Sequence, residues 1–281
     1  MKAGLYIVPT PIGNLEDVTL RALDVLRSAD VIAAEDTRHS RRLLSHYDIA
    51  TPLVSFHEHS GDGVIAGLVE RIIAGQVVAL ISDAGTPLVS DPGYDLVQAA
   101  HAADLPVSAL PGACAAITAL SVAGLPTHAF YFAGFMPAKS AARRKRLLEL
   151  SDIEATLILY EAPHRIVALL EDSQGVFGGE REAVLARELT KTYETIRRDR
   201  LANLTHWVAS DPNQQKGEIV VLIAPHSKKT ESPADPRALQ LLEALSLELP
   251  PKRASQLVAQ AYELNAKALY QHLLNRKNDD Q

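Results

Sequence analysis

Short runs of consecutive apolar residues recur through the first half of the chain, and each run ends abruptly in small or polar residues. They occupy positions 5–8, 31–34 and 77–81, and a further run that is interrupted only by Ser108 occupies 107–110. Unbroken apolar runs of this kind are typical of strands that are buried on both faces of a parallel sheet. Segments between them place apolar residues at helical spacing, as at 20, 23 and 26. The pattern predicts an α/β fold whose N-terminal part is a doubly wound parallel sheet.

The run at 77–81 leads directly into Ser82, Asp83, Ala84 and Gly85. Residues just past the carboxyl end of a buried parallel strand are where open α/β sheets bind their ligands. Small residues let backbone amides approach a ligand closely, and the Asp83 carboxylate can accept hydrogen bonds from hydroxyls. The segment is therefore a candidate ligand loop, although a tight strand-to-helix turn without a ligand has the same pattern.

The strand predicted at 31–34 ends in a second polar segment, residues 35–42, which holds two acids, three arginines and a histidine. Acids favour the first turn of a helix, whereas cations there are unfavourable. A solvated helix start explains the acids but not the arginines. The segment is therefore interpreted as facing a substrate, with the solvated helix start as the alternative.

Two segments rich in small residues are interpreted as structural. Residues 60–67 contain glycines spaced G-x-G-x-x-x-G without a buried strand directly before them, so the dinucleotide-binding context is missing, and we predict a loop that leads into a helix. Residues 111–116 form a turn into a helix of very small side chains. Cys114 in that turn is interpreted as a packing residue and not a nucleophile, because no base is evident beside it.

The pattern of apolar and polar residues changes at 124–128, which indicates a domain boundary. The part that follows has an amphipathic segment at 204–208, and its strands are predicted at 156–160, 183–186 and 218–223. This arrangement is typical of an α+β domain with hairpins. The domain also carries basic residues at 143–146 and at 197, 198 and 200, which are interpreted as solvated faces or phosphate contacts.

The last part of the chain is interpreted as a linker followed by a small helical unit. Residues 225–236 are rich in Lys, Ser, Pro and Asp and lack periodicity. Two short helices with a brief turn between them then predict helix-turn-helix geometry, which either packs against a partner or contacts nucleic acid. The predicted domains are an α/β domain at 1–124, an α+β domain at 125–226, a linker at 227–236 and a helical unit at 237–281.

The composition narrows the class of protein. Apolar residues make up 47% and charged residues 22% of the chain, as in an ordinary soluble domain. No apolar run approaches the roughly 20 residues of a membrane helix, and a single cysteine fits the reducing cytoplasm. No Cys/His cluster has zinc spacing, and residues 57–59 are too close-set for a helical metal pair, so no metal is expected. The net charge of −6 excludes a bulk nucleic-acid coat protein but not a local basic footprint.

Four blocks of sequence together resemble a known family. They are YIVPTPIGNL at 6–15, AEDTR at 34–38, SDAGTP at 82–87 and PG at 111–112. The chain is similar to the tetrapyrrole-methylase superfamily of S-adenosylmethionine enzymes. Within it, the chain resembles the branch that methylates a cytidine ribose 2′-hydroxyl in the decoding region of 16S ribosomal RNA.

The resemblance runs from about residue 5 to about 224, and the helical tail is similar to that branch's C-terminal extension. Pro9 and Pro11 replace glycines of the wider superfamily, and Thr86 stands where an acid is usual. These departures disfavour a corrin or porphyrin substrate and match the RNA branch.

The resemblance also implies the site. The methyl donor would be lined by one set of residues from both large domains: Asp83, Ala84, Gly85, Thr86, Leu88, Cys114, Ala115, Glu161, Ala162, Ala186, Glu218 and Ile219. The substrate is expected to meet Pro11, Gly13 and Asn14 of the first loop, and the density of charge after the second strand suggests that Arg38 and Arg41 hold flanking phosphates. The implied partners are the small ribosomal subunit and a second copy of the chain, in the cytoplasm.

Methyl transfer to a ribose hydroxyl is an in-line displacement, in which positioning is the larger share of the work. A 2′-hydroxyl is a poor nucleophile, so a base or a cation beside the developing alkoxide helps. Glu35 or Asp36, with Lys191, are the candidates. The alternatives are a methyltransferase acting on a small tetrapyrrole and a ribosome-assembly or RNA-binding factor without catalysis.

Overall fold

The computed structural model describes residues 1–57, 60–226, 236–262 and 264–279. These residues form two compact units, Met1–Pro225 and His226–Gln281. Most of the linker predicted at 227–236, and residues 58 and 59 of the histidine segment, lie outside the described residues.

The first unit begins with a five-stranded parallel sheet in the order β3-β2-β4-β1-β5. Its strands are β1 Gly4–Ile7, β2 Val31–Ala34, β3 Leu53–Ser55, β4 Val77–Ile81 and β5 Val107–Ala109. The helices between and after them are α1 Leu20–Ser28, α2 Thr37–His46, α3 Asp62–Ile73, α4 Tyr94–Ala102 and α5 Ala115–Val122. Four of the strands coincide with the predicted apolar runs. The fifth, β3, escaped prediction because it is short and only partly buried.

Alternate residues of the central strand β4 face opposite sides of this sheet. Ala79 and Ile81 pack in the core that includes α1 and α2, whereas Val78 and Leu80 pack in the core that includes α3 and α4. With both faces covered, every residue of β4 is apolar and buried. The prediction of a doubly wound sheet is confirmed. The loop predicted at 60–67 was wrong in part, because α3 already begins at Asp62.

A second five-stranded sheet follows, in the order β6-β7-β10-β8-β9. It is antiparallel except for the parallel pair β6 and β7. The strands are β6 Phe130–Phe135, β7 Thr156–Glu161, β8 Glu182–Arg187, β9 Thr195–Arg200 and β10 Ile219–Ile223. Three helices cover one face of it: α6 Ser140–Glu149, α7 Ile166–Phe177 and α8 Leu201–Ser210.

The other face of the second sheet packs on α5, the helix of small side chains. Ala116 and Ala119 lie in one core cluster with Ile158, Val184 and Val220 of the second sheet. Small side chains let the helix approach the sheet closely. The predicted small-residue helix therefore joins the two sheets within one unit.

Several basic residues interpreted as possible phosphate contacts are satisfied within the protein. Arg143 is buried and forms an ion pair with Asp172 at 2.7 Å. Arg198 pairs with Glu182 across the β8–β9 hairpin. For Arg143 the interpretation as a solvated or phosphate-binding residue was therefore wrong. Sequence patterns miss such pairs because the acidic partners are distant along the chain.

The described residues of the second unit form three helices, α9 Pro236–Glu248, α10 Pro251–Tyr262 and α11 Ala266–Asp279. Its small core includes Leu242, Val258 and Leu269. The Asn265 side chain accepts hydrogen bonds from the backbone N–H groups of residues 267 and 268, which caps α11. Within the described parts of the chain, no helix has the length and apolarity needed to cross a membrane.

Candidate active site

The site lies at the carboxyl edge of the first sheet, where the loops after β1, β4 and β5 meet. The Thr10 N–H donates to the Gly85 carbonyl at 2.9 Å, and the Gly85 N–H donates back to the Thr10 carbonyl at 3.0 Å. The Thr86 hydroxyl donates to the Ala113 carbonyl at 2.9 Å. Three loops that are far apart in sequence are thereby tied into one wall.

A first cavity of about 350 Å³ lies between this wall and the second sheet. Ten of the twelve residues that the resemblance assigns to the methyl donor line it: Ala84, Gly85, Thr86, Cys114, Ala115, Glu161, Ala162, Ala186, Glu218 and Ile219. The sequence therefore identified one contiguous surface built from both sheets. Asp91 and Tyr160 also line this cavity and were not predicted as donor contacts.

The two remaining donor candidates are placed elsewhere. Leu88 packs in the apolar core beside α3 and α4, where its side chain contacts Gly93. Asp83 lines a second cavity, of about 560 Å³, that adjoins the first. Ile12, Ala84 and Glu218 line both cavities, so the two share an edge.

The second cavity is lined by some, but not all, of the residues that were predicted to act on or contact the substrate. Pro11, Gly13 and Lys191 line it, whereas Asn14, Arg38 and Arg41 line neither cavity. The catalytic candidates Glu35 and Asp36 also line neither cavity. The basic residues of α2 that do line it are His39 and Arg42. Residues 39, 42 and 43 share one helix face by their spacing of three and four, and 38 and 41 lie on another face. His39 and Arg42 were not predicted as substrate contacts; the helical phase of residues 35–42 was the sequence signal that could have identified them.

Two loops beside the cavities contain strained backbone. Leu88 and Ser90 have φ values of 73° and 67°, and Glu188 and Thr190 have values of 53° and 65°. Left-handed conformations of residues other than glycine cost about 1–3 kcal/mol each and cluster at functional sites. The strain lies in the β4 loop and in the loop after β8, which face each other across the site.

The first loop rests directly on the loop after β8. A Cβ atom on Gly13 would lie 2.5 Å from Lys191 Cγ and 2.8 Å from the Leu189 carbonyl oxygen. The Asn14 N–H donates to the Thr190 hydroxyl at 3.1 Å. Gly13 is therefore required for close approach, and Asn14 helps to position the loop that carries Lys191.

The two acids that follow β2 have opposite electrostatic environments. Burial, and then the charges of Asp91 and Asp83, raise the pKa of Glu35. Asp36 is the N-cap of α2, and its carboxylate accepts hydrogen bonds from the N–H groups of Arg38 at 2.7 Å and His39 at 3.4 Å. Those hydrogen bonds lower the pKa of Asp36. Glu35 is thus the better proton acceptor near neutral pH, while Asp36 is engaged as a cap.

Lys191 remains a cation in this site. Partial burial opposes its charge, but the hydrogen bonds that it donates to Glu188 and Glu218 outweigh burial and raise its pKa. The Nζ atom lies 2.9 Å from Glu188 and 3.1 Å from Glu218. Lys191 can therefore stabilise negative charge but is unsuited to accept a proton.

The first cavity suits a cationic ligand. Asp91 and Glu218 line it, Glu218 being shared with Lys191 of the second cavity, and its described lining contains no lysine, arginine or histidine. Glu161 is neutralised separately, because it pairs with Arg165 at 2.7 Å. A sulfonium and an ammonium group fit these acids, and the volume is within the usual range for small-molecule sites. Within the described residues, no group of three or more His, Cys, Asp or Glu side chains is placed to hold a metal ion.

Comparison with known proteins gives two family matches. Residues 4–205 match the model described as Tetrapyrrole (Corrin/Porphyrin) Methylases, and residues 231–277 match the RsmI C-terminal HTH domain.

Two similar curated proteins are both named Ribosomal RNA small subunit methyltransferase I. The one from Vibrio cholerae is 52% identical over 95% of this chain and 92% of its own length. The one from Pseudomonas aeruginosa is 52% identical over 99% of each chain. A crystal structure of uroporphyrin-III-C-methyltransferase from Thermus thermophilus is 26% identical, with a TM-score of 0.56 over 79% of this chain and 94% of that one.

Proposed function

This chain belongs to the tetrapyrrole methylase family of S-adenosylmethionine-dependent enzymes, and from that premise we propose that it methylates ribosomal RNA. The proposed acceptor is the 2′-hydroxyl of a cytidine ribose in the decoding region of the 16S RNA. The observation that carries the proposal is the pair of adjoining cavities, one lined by acids and the other partly by cations, that meet at Ile12, Ala84 and Glu218. The names of relatives that are about half identical over nearly the whole chain support an RNA substrate.

In this proposal the first cavity holds the methyl donor. S-adenosylmethionine supplies a methyl group that its sulfonium already activates strongly. The Ala84–Thr86 segment, Cys114 and Ala115 provide close backbone contact on one side, and Ala162, Ala186 and Ile219 close the cavity on the other. Asp91 and Glu218 complement positive charge. Fixing the donor in this way contributes to rate by orientation, because in-line geometry is the main requirement of the transfer.

The second cavity holds the target nucleotide, and the residues around it handle the proton and the charge. Glu35, whose pKa is raised by burial and then by the charges of Asp91 and Asp83, takes the proton of the 2′-hydroxyl. Lys191, at the side of Glu218, stabilises the developing alkoxide. Asp36 caps α2 and thereby fixes the start of the helix that carries His39 and Arg42.

Contacts with RNA outside the target nucleotide are proposed for the exposed basic residues of α2. Arg38 and Arg41 form no ion pair with any described residue, which leaves them available to flanking phosphates. The C-terminal helical unit is proposed as an additional RNA contact on the basis of its family match.

We also propose that the protein acts in the cytoplasm as a homodimer. The edge strand β6 exposes Phe130 and Tyr131, at 46% and 37%, which supports an association surface there. Sedimentation at several concentrations tests this, and a monomer at every concentration would contradict it.

The test of function uses small ribosomal subunits from a strain that lacks this protein, together with S-adenosylmethionine carrying a labelled methyl group. We expect label in the 16S RNA at one cytidine, in a dinucleotide that resists alkali because its 2′-hydroxyl is blocked. Subunits with 2′-deoxycytidine at that position are the matched control and should remain unlabelled.

Transfer to a precorrin-type substrate instead of RNA would favour a tetrapyrrole methyltransferase. Absence of donor binding in calorimetry would favour a factor without catalysis. Single-turnover rates at saturating donor then test the assigned residues. Near wild-type rates in both Glu35→Gln and Lys191→Ala would remove them from the proton and charge roles.

A further inference from the structure

Asp83 is placed on the acceptor side of the site and not on the donor side. It follows β4 by two residues, is half-buried and lines the second cavity, while its neighbour Ala84 lines both cavities. One carboxylate oxygen, Oδ1, accepts a hydrogen bond from the Asp36 N–H at 3.1 Å. That bond orients the carboxylate. In the described parts of the chain no side chain or backbone group donates to the other oxygen.

The remaining walls of the second cavity match the parts of a nucleotide. Pro11, Leu15 and Leu43 provide apolar surface of the kind that contacts a base. Arg42 and His39 on α2 provide positive charge for a phosphate. A volume of about 560 Å³ is ample for one nucleotide that has left its stack.

A carboxylate in such a pocket distinguishes the pyrimidines by their exocyclic group. Cytosine presents an amine at position 4, which donates a hydrogen bond, and carboxylates are suited to accept it. Uracil presents a carbonyl oxygen at the same position, which is an acceptor and is repelled. We propose, building on the proposed function, that Asp83 is the specificity-determining residue for the base: it accepts the cytosine exocyclic amine and thereby selects cytidine over uridine.

This inference differs from the expectation that Asp83 contacts the methyl donor. A donor contact would change donor affinity and would change rates on all acceptors by the same factor. A base contact changes the ratio of the rates on cytidine and uridine and leaves donor affinity in place.

The test compares wild type with Asp83→Asn on subunits reconstituted with cytidine or uridine at the target position. Asparagine keeps an oxygen for the Asp36 N–H and adds an amide that can donate to the uracil carbonyl. We expect wild type to favour cytidine and Asp83→Asn to reduce the cytidine-to-uridine rate ratio by roughly 10- to 100-fold. Donor affinity by calorimetry should stay within about twofold of wild type, which also shows that the variant is folded.

The readout is the ratio of the two rates and not either rate alone. The Asp83 charge is among the causes, after burial, that raise the pKa of Glu35, so its removal changes both rates together and leaves their ratio unaffected. A second variant serves as the control. Asp91→Asn, in the first cavity, should weaken donor binding and leave the ratio unchanged.

A target bearing N4,N4-dimethylcytidine tests the same contact from the RNA side, since it lacks both amine hydrogens. The rate of wild type on the dimethylated target should fall below its rate on cytidine by a similar factor. The rate of Asp83→Asn should change much less between the same two targets.

An unchanged cytidine-to-uridine ratio in Asp83→Asn would overturn the inference, as would full wild-type activity on the dimethylated target. A parallel loss of donor affinity and of both rates would return Asp83 to the donor site. If wild type does not methylate RNA at all, the proposed function itself fails, and this inference fails with it.

Discussion

The buried ion pair between Arg143 and Asp172 offers a quantitative test of how two of the helices that cover the second sheet are held together. The two side chains are only 4% and 10% exposed, and Nη2 of Arg143 lies 2.7 Å from Oδ2 of Asp172. The Nε atom donates to the same oxygen at 2.8 Å, and the Ser140 hydroxyl donates to Asp172 at 2.9 Å. Arg143 also donates to the Ala138 carbonyl at 3.0 Å. The arginine therefore joins α6, α7 and the loop before α6.

Arg143→Ala would leave the Asp172 carboxylate buried without its countercharge. Removing one partner of a buried pair lowers the free energy of unfolding by about 3–5 kcal/mol. For a unit of this size, this corresponds to a fall in Tm of roughly 6–20 °C. The neighbouring Arg144 is exposed, so Arg144→Ala should change stability by less than about 0.5 kcal/mol. Replacing both members of the pair, Arg143→Met with Asp172→Leu, should recover most of the loss, because no unpaired charge is left.

The assay is urea unfolding followed by the fluorescence of Trp207, the single tryptophan of the chain. Trp207 packs against the core cluster that contains Leu147 of α6 and Leu169 of α7, so it reports the region of the ion pair. The reasoning is refuted if Arg143→Ala and Arg144→Ala unfold within about 1 kcal/mol of each other. It is equally refuted if the double replacement is less stable than Arg143→Ala alone.

Three further outcomes concern the active site. Gly13→Ala should abolish most methylation while folding is retained. The added Cβ would lie 2.5 Å from Lys191 Cγ and would displace the loop that carries Lys191. Methylation rates and circular dichroism, measured on the same variant, check this. If Glu35 is the base, the single-turnover rate should fall as pH falls through its raised pKa, because only the ionised form accepts a proton, and Glu35→Gln should be slow with no such acid limb. Arg42→Ala and Arg41→Ala should each reduce the slope of log affinity for RNA against log salt by about 0.7, because each is proposed to contact one phosphate. An unchanged slope in either variant would remove that residue from the RNA contacts.

Comparison of prediction and structure shows which patterns carry information. The apolar runs predicted at β2 and β4 coincide with the observed strands. Both strands are buried on both faces, so no polar residue interrupts the apolar pattern. Strand β9 is basic and alternates partly buried and exposed residues. Its arginines pair with Glu182 of β8 and with Glu180, which precedes β8, and the sequence did not predict these ion pairs. The start of α3 was misplaced because Gly63 and Gly67 indicated a loop, whereas both lie inside the helix.

The candidate site divides in the same way. Ten donor-cavity residues were identified because the family resemblance assigns them individually; they lie in loops and at or near the ends of strands and of α5. Asp91 was missed, since it lies nine residues beyond the start of the β4 loop and reaches the cavity only through the left-handed turns at Leu88 and Ser90. Whether each assigned residue performs its role remains a prediction.

The sequence by itself determined the fold class, the family and the loops that form the site, because hydrophobic periodicity and local motifs are properties of neighbouring residues. Only the tertiary structure decided which side chains share a cavity and which charges are already paired. Burial, Coulomb interactions and hydrogen bonds act between residues such as Arg143 and Asp172, or Gly13 and Lys191, that meet only when the chain has folded. For that reason the position of Asp83 in the second cavity, on which the selection of cytidine is inferred to rest, could not be predicted from its place in the sequence.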